Sequence, residues 1–288
     1  MKFFILFSNI FILFFITSCS KTKKETKVFV LDKNIEFNLD KSNLNNSNSN
    51  SSKKLEYNFK AQKDIIKYKL KSLQLFTSKN NQILLTVSFI INFKKSEDKK
   101  NNFKYKIYFS NFKIKHKVYN GYFDFNTVNK KYNLIMNALY FNILINSYGN
   151  KSFEIENKVG LNSNLKSMAS FIFNIINYIF LEFPTNKIEN SNFIFTDKKY
   201  ELTSNYSENG SLLLKYDSSN KINFNIEYKN DFIILKSDDK KKKIRILFSE
   251  KEKMPQKINL LFEDKDKLKF ENKEYTYSLK NYYFIEKI

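Results

Sequence analysis

Glycine and proline are scarce in this chain, with 4 Gly and 2 Pro in 288 residues. That excludes Gly-rich phosphate loops, Pro-rich linkers and most repeat arrays. Tryptophan is absent, and there is 1 Cys and 1 His, so most metal-ligand sets and activated nucleophiles are unavailable to it. Arginine is almost missing as well: Arg245 is the only one among 50 basic residues. Specific phosphate and base recognition leans on the guanidinium fork, so the formal charge of +21 does not by itself point to nucleic acid. What the chain does have is apolar mass, 42% hydrophobic and 17% aromatic, with 31 Phe and 18 Tyr. That is enough to build a core, and it rules out a disordered or collagen-like chain.

The amino-terminal stretch carries the most specific signal. Residues Phe3 to Ile16 are apolar apart from Ser8 and Asn9, too short for a stable membrane span and suited to the core of a secretory signal. The run ends in Ile16-Thr17-Ser18-Cys19. This tetrapeptide resembles the lipobox of bacterial lipoproteins, in which an aliphatic residue and two small residues precede the modified cysteine. The resemblance implies cleavage between Ser18 and Cys19, a diacylglyceryl thioether on Cys19 and acylation of the new amino terminus. Several acyl chains hold a protein on a membrane, whereas one does not. The lone cysteine is then committed, and the core is built without disulfides.

The organisation expected is a signal peptide over 1–18, a lipidated amino terminus and Ser/Asn/Lys tether over 19–54, and a β-rich domain over 55–288. Ser42 to Lys54 is nearly all Ser, Asn and Lys, which cannot bury enough surface to offset its ordering entropy. Lys27 to Leu31 reads as an isolated strand within the tether. Composition and tether together are similar to spirochaetal lipoproteins, which implies an outer-membrane location, with the surface and periplasmic faces both open. A division near Asn190 into two subdomains is the alternative to one domain.

Past residue 55 the dominant period is two. Ile83, Leu85, Val87, Phe89, Ile91 and Phe93 mark a long strand; Phe103, Tyr105, Ile107 and Phe109 mark the next. The apolar phase then shifts to Phe112, Ile114, His116 and Val118, so a bulge or tight turn is expected at Ser110-Asn111 to keep apolar groups inward. Ile222 to Tyr228, Ile244 to Phe248, Ile258 to Phe262 and Tyr275 to Leu279 repeat the alternation between short polar loops, which favours antiparallel hairpins.

One segment departs from this period. Apolar residues from Leu165 to Phe183 recur at helical spacing, with Ser163 as cap, Pro184 as stop and a narrow Ser/Asn/Lys stripe, which predicts a helix over about 163–182. Its wide apolar arc requires cover, and packing against the concave face of the sheet is expected over spanning a bilayer. The fold class expected is therefore mainly β: a large curved antiparallel sheet, half-barrel-like, on one long apolar helix, with a carboxy-terminal β-meander. This outline is similar to the half-barrel carriers of the LolA, LolB and LppX type, an architectural likeness without a shared residue motif. It implies a lipid-sized cavity, which Phe171, Ile175, Ile179 and Phe180 of the helix would line.

Catalytic patterns are weak. His116 sits on the apolar phase of a strand and is expected to be buried, and no Gly-x-Ser-x-Gly elbow exists. Ser163-Asn164-Leu165-Lys166 matches Ser-x-x-Lys without its companion motifs. Glu154 and Glu156 form the one regular acidic pair, read as a solvated face. No enzyme activity, cofactor or metal is expected, nor a nucleic-acid partner; lysine-faced strands read as outer surface. A monomer attached to the membrane by its acyl chains is expected. Two roles stay open: display or binding of an envelope or host protein, and carriage of a lipid or other hydrophobic ligand.

Overall fold

The computed structural model describes residues 55–56, 64–78, 81–99, 102–119, 126, 129–130, 133–134, 136, 139–147, 149–155, 163–182, 187–188, 192–206, 212–229, 231–239, 241–270 and 273–288. The expected signal peptide, lipobox-like tetrapeptide, 19–54 tether and Lys27–Leu31 strand, together with Glu156 and Pro184, lie outside the described residues. In chain order the strands are β1 (Leu55–Glu56), β2 (Ile65–Ser78), β3 (Asn81–Lys99), β4 (Asn102–Tyr119), β5 (Phe141–Asn146) and β6 (Lys151–Ile155). Helix α1 (Ser163–Ile179) follows, then β7 (Lys187–Ile188), β8 (Asn192–Tyr206), β9 (Leu212–Lys229), β10 (Phe232–Asp238), β11 (Lys242–Ser249), β12 (Met254–Phe270) and β13 (Lys273–Lys287).

Eleven strands form one antiparallel sheet in the order β10-β11-β12-β13-β2-β3-β4-β5-β6-β9-β8, while β1 and β7 pair separately. The curved sheet, its single long helix and the meander from β9 to β13 are all present as expected. The order also returns on itself, because β10 pairs with β9 as well as with β11. Asn225 of β9 is opposite Asn192 of β8 and also opposite Lys236 of β10, and Leu212 is opposite both Tyr206 of β8 and Ile155 of β6. A strand has two edges, so β6 and β10 share one edge of β9 and β8 takes the other. Between those two contacts, residues 214–224 of the shared edge have no ladder partner among the described residues.

The phase shift in β4 is resolved as the sequence requires. Ser88 is opposite Lys113 and Ile90 is opposite Ser110, so β4 carries one residue more than β3 across the bulge. Asn111 takes φ 56° there, a left-handed conformation that asparagine tolerates better than branched residues. Phe109 and Phe112 consequently both face Phe89, at ring distances of 5.8 and 6.2 Å.

Helix α1 runs through the middle of this wrap. Every residue from Ile175 to Leu181 is buried, which requires cover on all sides. Phe180 meets Phe93 edge-on at 5.1 Å and Phe173 meets Phe141 at 4.5 Å, while Phe171 reaches Tyr283 at 5.5 Å and Tyr178 reaches Phe195 at 5.7 Å. The rings thus tie the helix to β3, β5, β13 and β8. The helix ends at Ile179, three residues before the expected 182. Phe180 N–H still donates to Ile176 O at 2.9 Å, but its own carbonyl accepts from Lys151 Nζ of β6 at 2.7 Å, which supplies the cation missing from the last turn.

Two readings are corrected. His116 keeps the inward phase of β4 yet is exposed, because β5 pairs with β4 only up to Ile107 and, among the described residues, no strand continues along that side. Helical backbone also occurs at positions 126, 129–130, 133–134 and 136, where Asn133 donates to Asn129 O at 3.0 Å and Met136 is buried; the sequence reading had no element there.

Candidate ligand cleft beside the helix

A cleft of about 240 Å³ opens alongside α1. Its inner wall is one face of the helix, Phe171, Asn174, Ile175 and Tyr178, spaced three and four residues apart so that they stack along one side. Phe262 of β12 and Asn281 of β13 form the opposite wall. Asp197 and Asn220 close one side, and the turn between β10 and β11 supplies Asp239, Lys241 and Lys242 at the mouth with Glu263 and Asp264.

The expected lining residues divide. Phe171 and Ile175 line the cleft, whereas Ile179 and Phe180, one turn further on, are buried in the core, Phe180 against Phe93 and Tyr105. Sequence periodicity could not separate the two pairs, since all four lie on the apolar arc and only the partners decide which side is filled.

One part-buried ion pair joins the side wall to the mouth. Lys242 Nζ contacts Asp197 Oδ2 at 2.5 Å, and the same ammonium lies 5.2 Å from the ring centres of both Tyr178 and Phe262. Burial pushes the Tyr178 phenol well above its ordinary range, and the Asp197 carboxylate beside it pushes the same way, so Tyr178 stays neutral. Asn174 Oδ1 is buried without a hydrogen-bond partner among the described residues. The resulting surface is one of recognition, with ring faces and an isoleucine for an apolar group and amide and charged groups at the rim.

Other sequence candidates lie apart. Glu154 of β6 is taken by Lys104 at 3.0 Å. Ser163 and Lys166 share the start of α1, with their side chains outside the described residues. A wider depression of about 470 Å³ is lined by polar and charged residues such as Asn102, Asn146 and Ser152 with Leu144, and its Lys104 and Lys151 are engaged by Glu154 and by the Phe180 carbonyl. Among the described residues no three His, Cys, Asp or Glu side chains converge as a metal site, and no helix is long and apolar enough to cross a membrane. Sequence reasoning missed Asp197 and Lys242, which sit 45 residues apart in the chain and announce themselves by no motif.

No family model and no curated protein matches the chain. Among solved structures it is similar to one described as showing lipid–protein interactions in lipovitellin, with a TM-score of 0.45 and 9% identity, over 80% of this chain and 25% of that one. The chain spans a quarter of that structure, and at this TM-score the likeness carries no argument.

Proposed function

We propose that the protein is a membrane-anchored lipoprotein, held through acyl chains on Cys19, whose folded part is a non-catalytic binding module of the cell envelope. The anchor is supported by Ile16-Thr17-Ser18-Cys19 at the end of an apolar signal-like run. Replacing Cys19 by Ala is expected to abolish incorporation of labelled palmitate, the signature of the thioether and amide acyl groups. Unchanged labelling of the Cys19→Ala variant would remove the lipoprotein reading.

The observation that carries the binding role is the cleft beside α1. At about 240 Å³ it falls just below the ~300–1,000 Å³ of drug-sized ligand sites. It therefore suits one acyl-chain segment or a small amphiphile, its tail against Phe171, Ile175 and Phe262 and its polar end at the mouth, rather than a whole diacyl lipid. Ile175→Trp fills this space. Organic extracts of the purified protein, read by mass spectrometry, are expected to contain a bound amphiphile that Ile175→Trp loses; wild-type protein with no lipid above a mock purification would sink the reading.

A further inference from the structure

The three central strands β2, β3 and β4 carry a charge distribution that the cleft does not use. On the side facing away from α1, β2 presents Lys67, Lys69 and Lys71 and β4 presents Lys113, Lys115 and Lys117, all exposed. Lys94 and Lys106, opposite one another in the β3–β4 register and also exposed, extend the array. Neither β2 nor β4 contains an Asp or Glu, and the two acids of β3, Glu97 and Asp98, come only after the bulge that follows Lys95. In a chain with 29 Asp+Glu against 50 Lys+Arg, composition alone would scatter acids among these positions.

The contrast with the neighbouring strands is direct. On β12 and β13 two outward lysines are paired, Lys257 with Glu286 at 3.1 Å and Lys280 with Glu263 at 3.2 Å. Among the described residues Lys67, Lys69, Lys71, Lys113, Lys115 and Lys117 make no ion pair, and Glu286, next to Lys69 in register, is already held by Lys257. Lysine protecting a free sheet edge does not explain Lys67, Lys69 and Lys71, since β2 is paired along both sides; for Lys113, Lys115 and Lys117, on the half of β4 past its pairing with β5, edge protection and the face are served by the same side chains.

Register turns the six into a continuous band. Lys71 and Lys113 flank Ser88 in one row, ~10 Å apart across two strand spacings. Lys69 and Lys67 run from that row in one direction, Lys115 and Lys117 in the other, so the band crosses the face diagonally over ~27 Å at ~3.4 Å per residue. At the Lys67 end, Ile65 is 43% exposed and Tyr108 36% exposed, an aliphatic and an amphipathic side chain of the kind that settle at a headgroup boundary.

We propose that this outer face of β2, β3 and β4 is a docking surface for an anionic lipid bilayer. A broad field of mobile lysines matches a dense, laterally mobile array of anionic headgroups, which asks for charge and not for the guanidinium geometry of base recognition. The face contains no arginine. Docking in this way lays the domain on the membrane instead of leaving it held by its amino terminus alone. The inference does not depend on Cys19, because an anchor or apolar leader adheres to charged and neutral vesicles alike.

The test is flotation of the full chain with phosphatidylcholine vesicles, with and without about 30% phosphatidylglycerol. Wild type is expected to bind the anionic vesicles at least about 10-fold better than the neutral ones, a preference lost when salt is raised from about 0.05 to 0.5 M. Lys113→Glu/Lys115→Glu/Lys117→Glu and, separately, Lys67→Glu/Lys69→Glu/Lys71→Glu should each remove most of that preference. Lys221→Glu/Lys251→Glu/Lys265→Glu, with the same change in net charge, should retain it, all with wild-type far-ultraviolet circular dichroism. Equal loss in the control would overturn the proposal by reducing it to net charge, as would equal binding of wild type to both vesicles. Lysine-dependent binding to heparin without binding to anionic vesicles would overturn it in favour of a polysaccharide.

Discussion

At the scale of single residues, the buried polar groups set the chemistry of this core. Tyr283 lies inside the sheet beside Ser72 and Gln74 of β2, and burial raises its phenol far above the usual range although both neighbours pull the other way. Tyr178 is raised for the same first reason, with Asp197 adding to it. A phenol raised in the folded state keeps its proton when the unfolded chain has released it, so the unfolded state binds fewer protons and folding stability falls as pH climbs past about 10. The stabilisation is complete below that pH. Thermal melts between neutral pH and pH 11 should show Tm dropping from about pH 10 upward, and Tyr283→Phe should make the drop shallower; a Tyr283→Phe curve parallel to wild type would show that this phenol is not the source. Arg245 is equally a tertiary fact. Its guanidinium grips both oxygens of Asp238 at 3.0 and 2.9 Å and donates to Ile244 O at 3.0 Å, so the only arginine of the chain serves the β10–β11 hairpin and not a ligand.

At the scale of elements, α1 is the joint that holds the sheet's strands to one another. Phe180 closes it against Phe93 and Tyr105, with Lys151 capping the carbonyl of the same residue. Phe180→Ala would leave a void between three elements and is expected to cost about 3–5 kcal/mol, seen as a lower midpoint in urea at unchanged slope. A loss under about 1 kcal/mol would mean that the helix end is not packed as described. Much of this level was legible. The strands built around Ile83 to Phe93 and Ile244 to Phe248, the bulge at Asn111 and the helix around Ile172 all follow from period and phase. Strand β2 was not singled out, although it lies at the centre of the sheet. Its inward phase is interrupted by Ser72 and Gln74 while its outward phase carries Leu73 and Leu75, so the alternation that identifies a half-buried strand fades halfway along. Positions 126 to 136 offered no sustained 3.6 period, and their helical backbone was illegible for that reason.

At the scale of the whole molecule, the sheet is continuous but unevenly sewn. Strands β2 and β3 share fourteen ladder pairs, whereas β9 meets β10 over five and β6 over two. The seam along β9 should open first. Hydrogen exchange followed by mass spectrometry is expected to label peptides spanning 152–155 and 212–213 well before those of β2 and β3, and protection at the seam equal to that of β2 would contradict this ranking. An early opening there lies on the same strand as Asn220, one of the residues that line the cleft. The β class, the helix, the antiparallel connections and the lysine-faced strands are legible in the residues alone, because each depends on periodicity within a window of a few residues. Only the tertiary structure decided that the strand order returns on itself at β9, that Phe171 and Ile175 face a cleft while Ile179 and Phe180 face a filled core, and that Asp197 meets Lys242. Those outcomes depend on which distant residues come into register, and pairing between residues tens of positions apart leaves no trace in the local pattern of either one.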